Sequence, residues 1–236
     1  MSKKSFVIYG ERNSGTNYLE TILTGESHHL YHDISAFEIP CDNSSILEKR
    51  PSIFGSKHFF GYYDDQIKSK GRNNIFIGIV RNPYDWLVAC NKSKHHIPPE
   101  NHEMKDFLTN EWYSIEHNKK HVDYGKEKIQ DRNFKNGMRY KNVFEMRSAK
   151  IKYLCQTMPS LTKKTKNYEL IRYEDLCFDP WSIIAKISKK YFLPMNMPIM
   201  EPIEKNPYEI DPDIKQIIDN NVDWRAESLV GYARRS

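Results

Sequence analysis

The sequence predicts an α/β protein built around a parallel sheet. Three observations carry that class. Short apolar runs alternate along the chain with stretches of helical periodicity, the pattern of βαβ units. The run Ile75-Phe76-Ile77-Gly78-Ile79-Val80 is apolar on both faces, as suits a central parallel strand covered on both sides. The first apolar run, Phe6-Val7-Ile8-Tyr9, passes into a helical pattern through a turn of small and polar residues, Gly10 to Gly15.

Each element follows from its residues. After the strand at 6–9, a helix from Thr16 to about Leu23 sets Tyr18, Leu19, Ile22 and Leu23 on one face. A second, weaker strand is expected at 52–56, and the third is 75–80. Pro83 suits the first turn of the next helix, which Trp86-Leu87-Val88 continue. A fourth strand is expected at Glu169-Leu170-Ile171-Arg172-Tyr173. Ile183, Ile184, Ile187 and Tyr191 then mark an amphipathic helix, and Ile214, Ile217, Ile218 and Val222 mark another. The polar stretch 91–139, rich in Lys, His, Asn and Tyr, is an excursion from the sheet, helical in parts, and a candidate lid or acceptor-binding region.

Composition narrows the function. The chain has 236 residues, 13% of them aromatic, and no repeat or low-complexity linker, so one domain spanning 1–236 is expected. Lys and Arg total 36 against 31 Asp and Glu, a net charge of +5. That surplus suits an anionic ligand but lacks the basic character of a nucleic-acid binder. No stretch is long and apolar enough for a membrane span, and with Met-Ser-Lys-Lys followed by a short apolar strand no signal peptide is expected. Cys41, Cys90, Cys155 and Cys177 form no C-x-x-C pair, so a reducing, cytoplasmic location is expected. No metal is expected: His28, His29 and His32 read as solvated loop histidines.

Two segments carry chemistry. In Gly10-Glu11-Arg12-Asn13-Ser14-Gly15-Thr16-Asn17, a strand meets a helix through a Gly/Ser turn, which is the architecture of a phosphate cradle. An ordinary capped strand–turn–helix connection is the other reading. The glycine spacing matches a Walker A loop, but Thr16 stands where that loop needs lysine. The second segment, Val80-Arg81-Asn82-Pro83-Tyr84-Asp85-Trp86, sends an arginine off the carboxyl end of the central strand, where α/β folds bind ligands. The Arg fork suits a phosphate; a structural pairing with Asp85 or a nearby acid is the alternative. Arg147 and Lys150 either reach a ligand or line a solvated helix face. His95 and His96 either face an acceptor or end a helix. Glu174 and Asp175 read as helix-opening residues, and Trp86, Trp181 and Tyr232 as core.

Taken in order, these segments resemble the sulfotransferases that use 3′-phosphoadenosine 5′-phosphosulfate (PAPS). Residues 11–17 resemble that family's 5′-phosphosulfate loop, and Arg81-Asn82-Pro83-Tyr84-Asp85-Trp86 its 3′-phosphate motif. Lys57-His58-Phe59 resembles its K-x-H segment. Arg172-Tyr173-Glu174-Asp175-Leu176 with Asp179-Pro180 resembles its R-Y-E-D-L…P segment, and Glu227-Ser228-Leu229-Val230-Gly231-Tyr232 its C-terminal E-x-x-L-G-Y. The five span nearly the whole chain. Two departures stand out: Asn13 occupies the place of the family's loop lysine, and Ala89 that of a serine eight residues after the motif arginine.

The resemblance implies a three-layer P-loop NTPase-like fold, a central parallel sheet flanked by helices. It implies PAPS as donor, a small-molecule or glycan acceptor offering a hydroxyl or amine, and 3′,5′-ADP as product. Arg12, Asn13, Ser14, Gly15, Thr16 and Asn17 would grip the 5′-phosphosulfate and Arg81 the 3′-phosphate. His58 would be the general base, and Lys57 or Arg12 would stabilise the leaving phosphate. A P-loop nucleotide kinase or NTPase, and a non-catalytic nucleotide-binding module of the same fold, are the competing expectations.

Overall fold

In the computed structural model, which describes residues 5–24, 36–38, 49–50, 53–58, 60–94, 96–116, 126–193 and 202–236, the sheet is built from five strands: β1 (Ser5–Gly10), β2 (Ala36–Glu38), β3 (Lys49–Arg50), β4 (Asn74–Val80) and β5 (Tyr168–Arg172). Their order is β3-β2-β1-β4-β5. β1 pairs with β4 and β4 with β5 in parallel, in registers that set Gly10 opposite Ile79 and Val80 opposite Arg172. The two short strands β2 and β3 extend the sheet antiparallel beyond β1. The class is therefore α/β, with three parallel strands flanked by helices and an antiparallel edge.

The strand alternation divides the sheet's two faces. Phe6 and Ile8 of β1 and Ile75, Ile77 and Ile79 of β4 join one core. The helix α1 (Thr16–Thr24) gives that core Leu19, Ile22 and Leu23, and α8 (Pro180–Tyr191) gives it Ile184, Ile187 and Tyr191. On the other face Tyr9 packs on Phe60 and Phe76 at ring distances of 5.5 and 6.1 Å, and donates its hydroxyl to the Phe54 carbonyl. Of the strand expected at 52–56, the described residues 53–56 form none, and Ser52 lies outside the described residues. Ile53 and Phe54 lie in a turn, and Gly55 follows at φ +86° with no room for a Cβ beside the Tyr63 ring. A left-handed glycine breaks the extended backbone that a strand needs.

The described residues form two compact units: Met1–Arg81 with Leu154–Asn206, and Asn82–Tyr153 with Pro207–Ser236. The first holds the sheet, α1, α2 (Asp64–Lys70), α6 (Met158–Leu161), α7 (Tyr173–Phe178) and α8. The second holds α3 (Pro83–Ser93), α4 (Met104–Thr109), α5 (Val143–Lys152), α9 (Pro212–Asn221) and α10 (Trp224–Glu227). The 91–139 excursion belongs to this second unit and contributes to its core: Phe107, Leu108 and Trp112 pack with Tyr84, Trp86, Phe144 and Ile218. The periodic Ile214, Ile217, Ile218 and Val222 join the same core, as their spacing predicts.

Three helix starts follow one sequence rule. Asn82, Asp179 and Asp211 each precede a proline and each accepts a hydrogen bond from a first-turn N–H of α3, α8 or α9. The short polar side chain satisfies an orphan donor, and proline at the first position has none to lose.

Three side chains stand elsewhere than their residue types suggest. Trp181, expected in the core, is 48% exposed, because it opens α8 on the turn that faces solvent. Arg147 and Lys150 line no solvated face. Both are buried in ion pairs: Arg147 grips Glu227 through Nε and Nη2 at 2.5 and 2.8 Å, and Lys150 meets Asp131 at 2.8 Å. Charge–charge pairing is what lets such groups leave water. Among the described residues no helix is long and apolar enough to cross a membrane.

Candidate functional site

Because β1, β4 and β5 run parallel, the segments that leave them emerge on one edge of the sheet. These are the loop 11–15, Arg81 and the start of α7. The loop is wound tightly. The Ser14 amide and hydroxyl both donate to the Glu11 carbonyl, at 3.1 and 2.6 Å. Asn13 and Gly15 take left-handed conformations, φ 61° and 93°. Left-handed residues set close together belong to the backbone alternation that forms anion-binding concavities. At Gly15 glycine is required twice over, for its φ and because a Cβ would overlap the Tyr173 ring.

Tyr173 is thus the floor under the loop, and two cations meet it. Arg81 places its guanidinium 4.9 Å from the ring centroid and donates Nη1 to the Asn13 carbonyl at 3.0 Å. Lys205 sets Nζ 4.8 Å from the same centroid and donates to the Tyr173 hydroxyl. Burial, then the hydrogen bond to Cys177, raise the phenol's pKa well above its ordinary value. The neutral hydroxyl therefore accepts from the Lys205 ammonium.

Residues 57 and 58 hold the end of β1 from the side. The Gly10 amide donates to the Lys57 carbonyl at 2.9 Å, and His58 Nδ1 donates to the Gly10 carbonyl at 2.7 Å. A neutral imidazole that donates from Nδ1 carries its lone pair on Nε2. Lys57, 2% exposed, extends along α1, where Nζ donates to Asn17 Oδ1 at 2.5 Å and meets Glu20 at 3.2 Å.

The structure therefore gathers most of the residues singled out from sequence, at the end of β1, in the loop and at the start of α1. Arg81 meets Asn13, Lys57 meets Asn17, and His58 meets Gly10. Ser14 and Thr16 are buried in the loop, Arg12 is partly exposed, and Asn13 and Asn17 are exposed. Asp85, the alternative partner for Arg81, receives Arg235 and the Tyr208 amide instead. His96 donates Nδ1 to the Ile115 carbonyl, a local structural bond rather than a helix end. Glu174 and Asp175 open α7, as expected. Phe59, His28, His29, His32, His95 and Cys41 lie outside the described residues.

Three participants escape a reading of the sequence. Glu20 had a readable signal, since it follows Thr16 by four residues and so shares its helix face. Tyr173 had its position at the end of a strand and its place in the Arg172–Leu176 segment, neither of which gave it a role. Lys205 had none, because only the folded chain brings residue 205 to residue 173. The chain matches no protein-family model, no curated protein and no solved structure.

Proposed function

We propose that the chain is a PAPS-dependent sulfotransferase, of P-loop-like fold, that moves a sulfuryl group to an acceptor hydroxyl or amine. One observation supports the reading above the rest: Arg81 and the Gly/Ser loop share a wall. The guanidinium reaches the Asn13 carbonyl while lying near the ring that packs against Gly15. A cation with a fork of donors beside a turn of left-handed residues suits a ligand with more than one phosphate.

In this reading the loop binds the 5′ end of the donor and Arg81 its 3′-phosphate. His58 takes the acceptor's proton at Nε2 as the acceptor oxygen or nitrogen bonds to sulfur. The bond from sulfur to the phosphate oxygen breaks, and 3′,5′-ADP leaves with the electron pair. Arg12 and Lys57 offset that charge in place of the lysine that Asn13 lacks. The Lys57 ammonium acts from within its ion pair with Glu20.

Thermal denaturation with 3′,5′-ADP, 5′-AMP and ATP tests the donor. Selective stabilisation by 3′,5′-ADP is expected. The Arg81→Ala variant should bind 3′,5′-ADP more weakly, with 5′-AMP little changed. Equal losses for both nucleotides reject the role given to Arg81, and preferential stabilisation by ATP with magnesium rejects the donor.

A further inference from the structure

We infer that Lys205, seated on the Tyr173 hydroxyl, is a second anion-binding cation of the loop site, working beside Arg81. The inference rests on the reading of the Gly10–Asn17 loop as a phosphate site and adds a residue to it.

Four observations converge on this. Tyr173 lies under the loop so closely that Gly15 cannot carry a side chain. The two cations that meet this ring come from far apart in sequence: Arg81 from the end of β4, Lys205 from the segment after α8. The segment carrying Lys205 is fastened, since the Ile203 amide donates to the Cys177 carbonyl at 2.9 Å one turn beyond Tyr173. Lys205 is itself exposed, so its ammonium is open to a ligand while one of its protons is held by the phenol.

Electrostatics explains why the arrangement points to a ligand. Two cations held around one ring repel each other. A polyanion at the loop removes that repulsion and gains from both. An uncharged Tyr173 adds no anion of its own, so it positions Lys205 without neutralising it.

The test measures binding of 3′,5′-ADP, ATP and inorganic pyrophosphate to the intact chain by calorimetry. It compares wild type with Lys205→Met and Tyr173→Phe. Lys205→Met keeps the length of the side chain and removes its charge at an exposed site, so folding is preserved. It should weaken every phosphate ligand that wild type binds, by roughly tenfold, the worth of one charge-assisted contact. Tyr173→Phe keeps the ring under Gly15 and loses only the anchor, so a smaller loss is expected. Binding of pyrophosphate or ATP but not 3′,5′-ADP, weakened in Lys205→Met, would support this inference and overturn the donor proposed above. Unchanged affinity in Lys205→Met would overturn the inference and leave the donor standing. Failure of wild type to bind any of the three would overturn both.

Discussion

His58 carries two duties that one substitution confuses: its Nδ1 proton fixes the Gly10 carbonyl, and its Nε2 lone pair is the proposed base. His58→Ala removes both, whereas His58→Asn keeps an amide N–H close to the Nδ1 position and removes only the base. Both variants are expected to lose turnover by roughly 10²–10⁴-fold, the usual worth of general-base catalysis, while His58→Asn retains 3′,5′-ADP affinity. Near-wild-type kcat for His58→Asn would show that the histidine only positions the loop. Lys57 poses a related problem. It is buried against Glu20, and removing one partner of such a pair costs about 3–5 kcal/mol. Activity lost in a Lys57 variant must therefore be weighed against its stability.

At the scale of elements, the 126–140 segment shows how a polar, irregular stretch is held without regular pairing. Glu127 bridges to Ile115 through the backbone and takes Arg132 and Arg139 on its carboxylate. Hydrogen bonds from Arg132, then Arg139, pull its pKa from an ordinary 4.5 down to about 2. A group whose folded pKa is depressed adds stability above its unfolded pKa, and that stability fades as pH falls through the folded one. Unfolding by urea should therefore become easier between about pH 4.5 and 2. In Glu127→Gln that part of the pH dependence should vanish, and an unchanged profile would remove Glu127 from the account. The Asn/Asp-Pro starts of α3, α8 and α9 work differently: each cap bond is made within its own first turn and is legible from two adjacent residues.

For the molecule as a whole, the second unit draws its two stretches of chain, 82–153 and 207–236, into one body, and the Arg147–Glu227 pair joins them across 80 residues. The Arg147 guanidinium also lies 4.7 Å from the Trp86 ring centroid. Glu227→Gln leaves a buried, half-paired guanidinium and is expected to cost about 3–5 kcal/mol in urea unfolding. A loss under about 1 kcal/mol would mean the pair is not buried in solution. The sequence by itself determined the α/β class, the positions of β1, β4 and β5, the prolines that open helices, and the loop and arginine that form the candidate site. These depend on periodicity and on residue types within a few positions of one another, which is information a sequence carries directly. It misread 53–56, where the apolar pair Ile53-Phe54 hid a left-handed glycine, and it left Arg147 and Lys150 between a ligand and a solvated helix face. Only the tertiary structure decided those cases, along with Tyr173 as the floor of the loop, Lys205 beside it and Glu20 behind Lys57. Apart from the turn at 53–56, the deciding partner lies 19 or more residues away, and a charge or an aromatic ring takes its meaning from the neighbour that folding supplies.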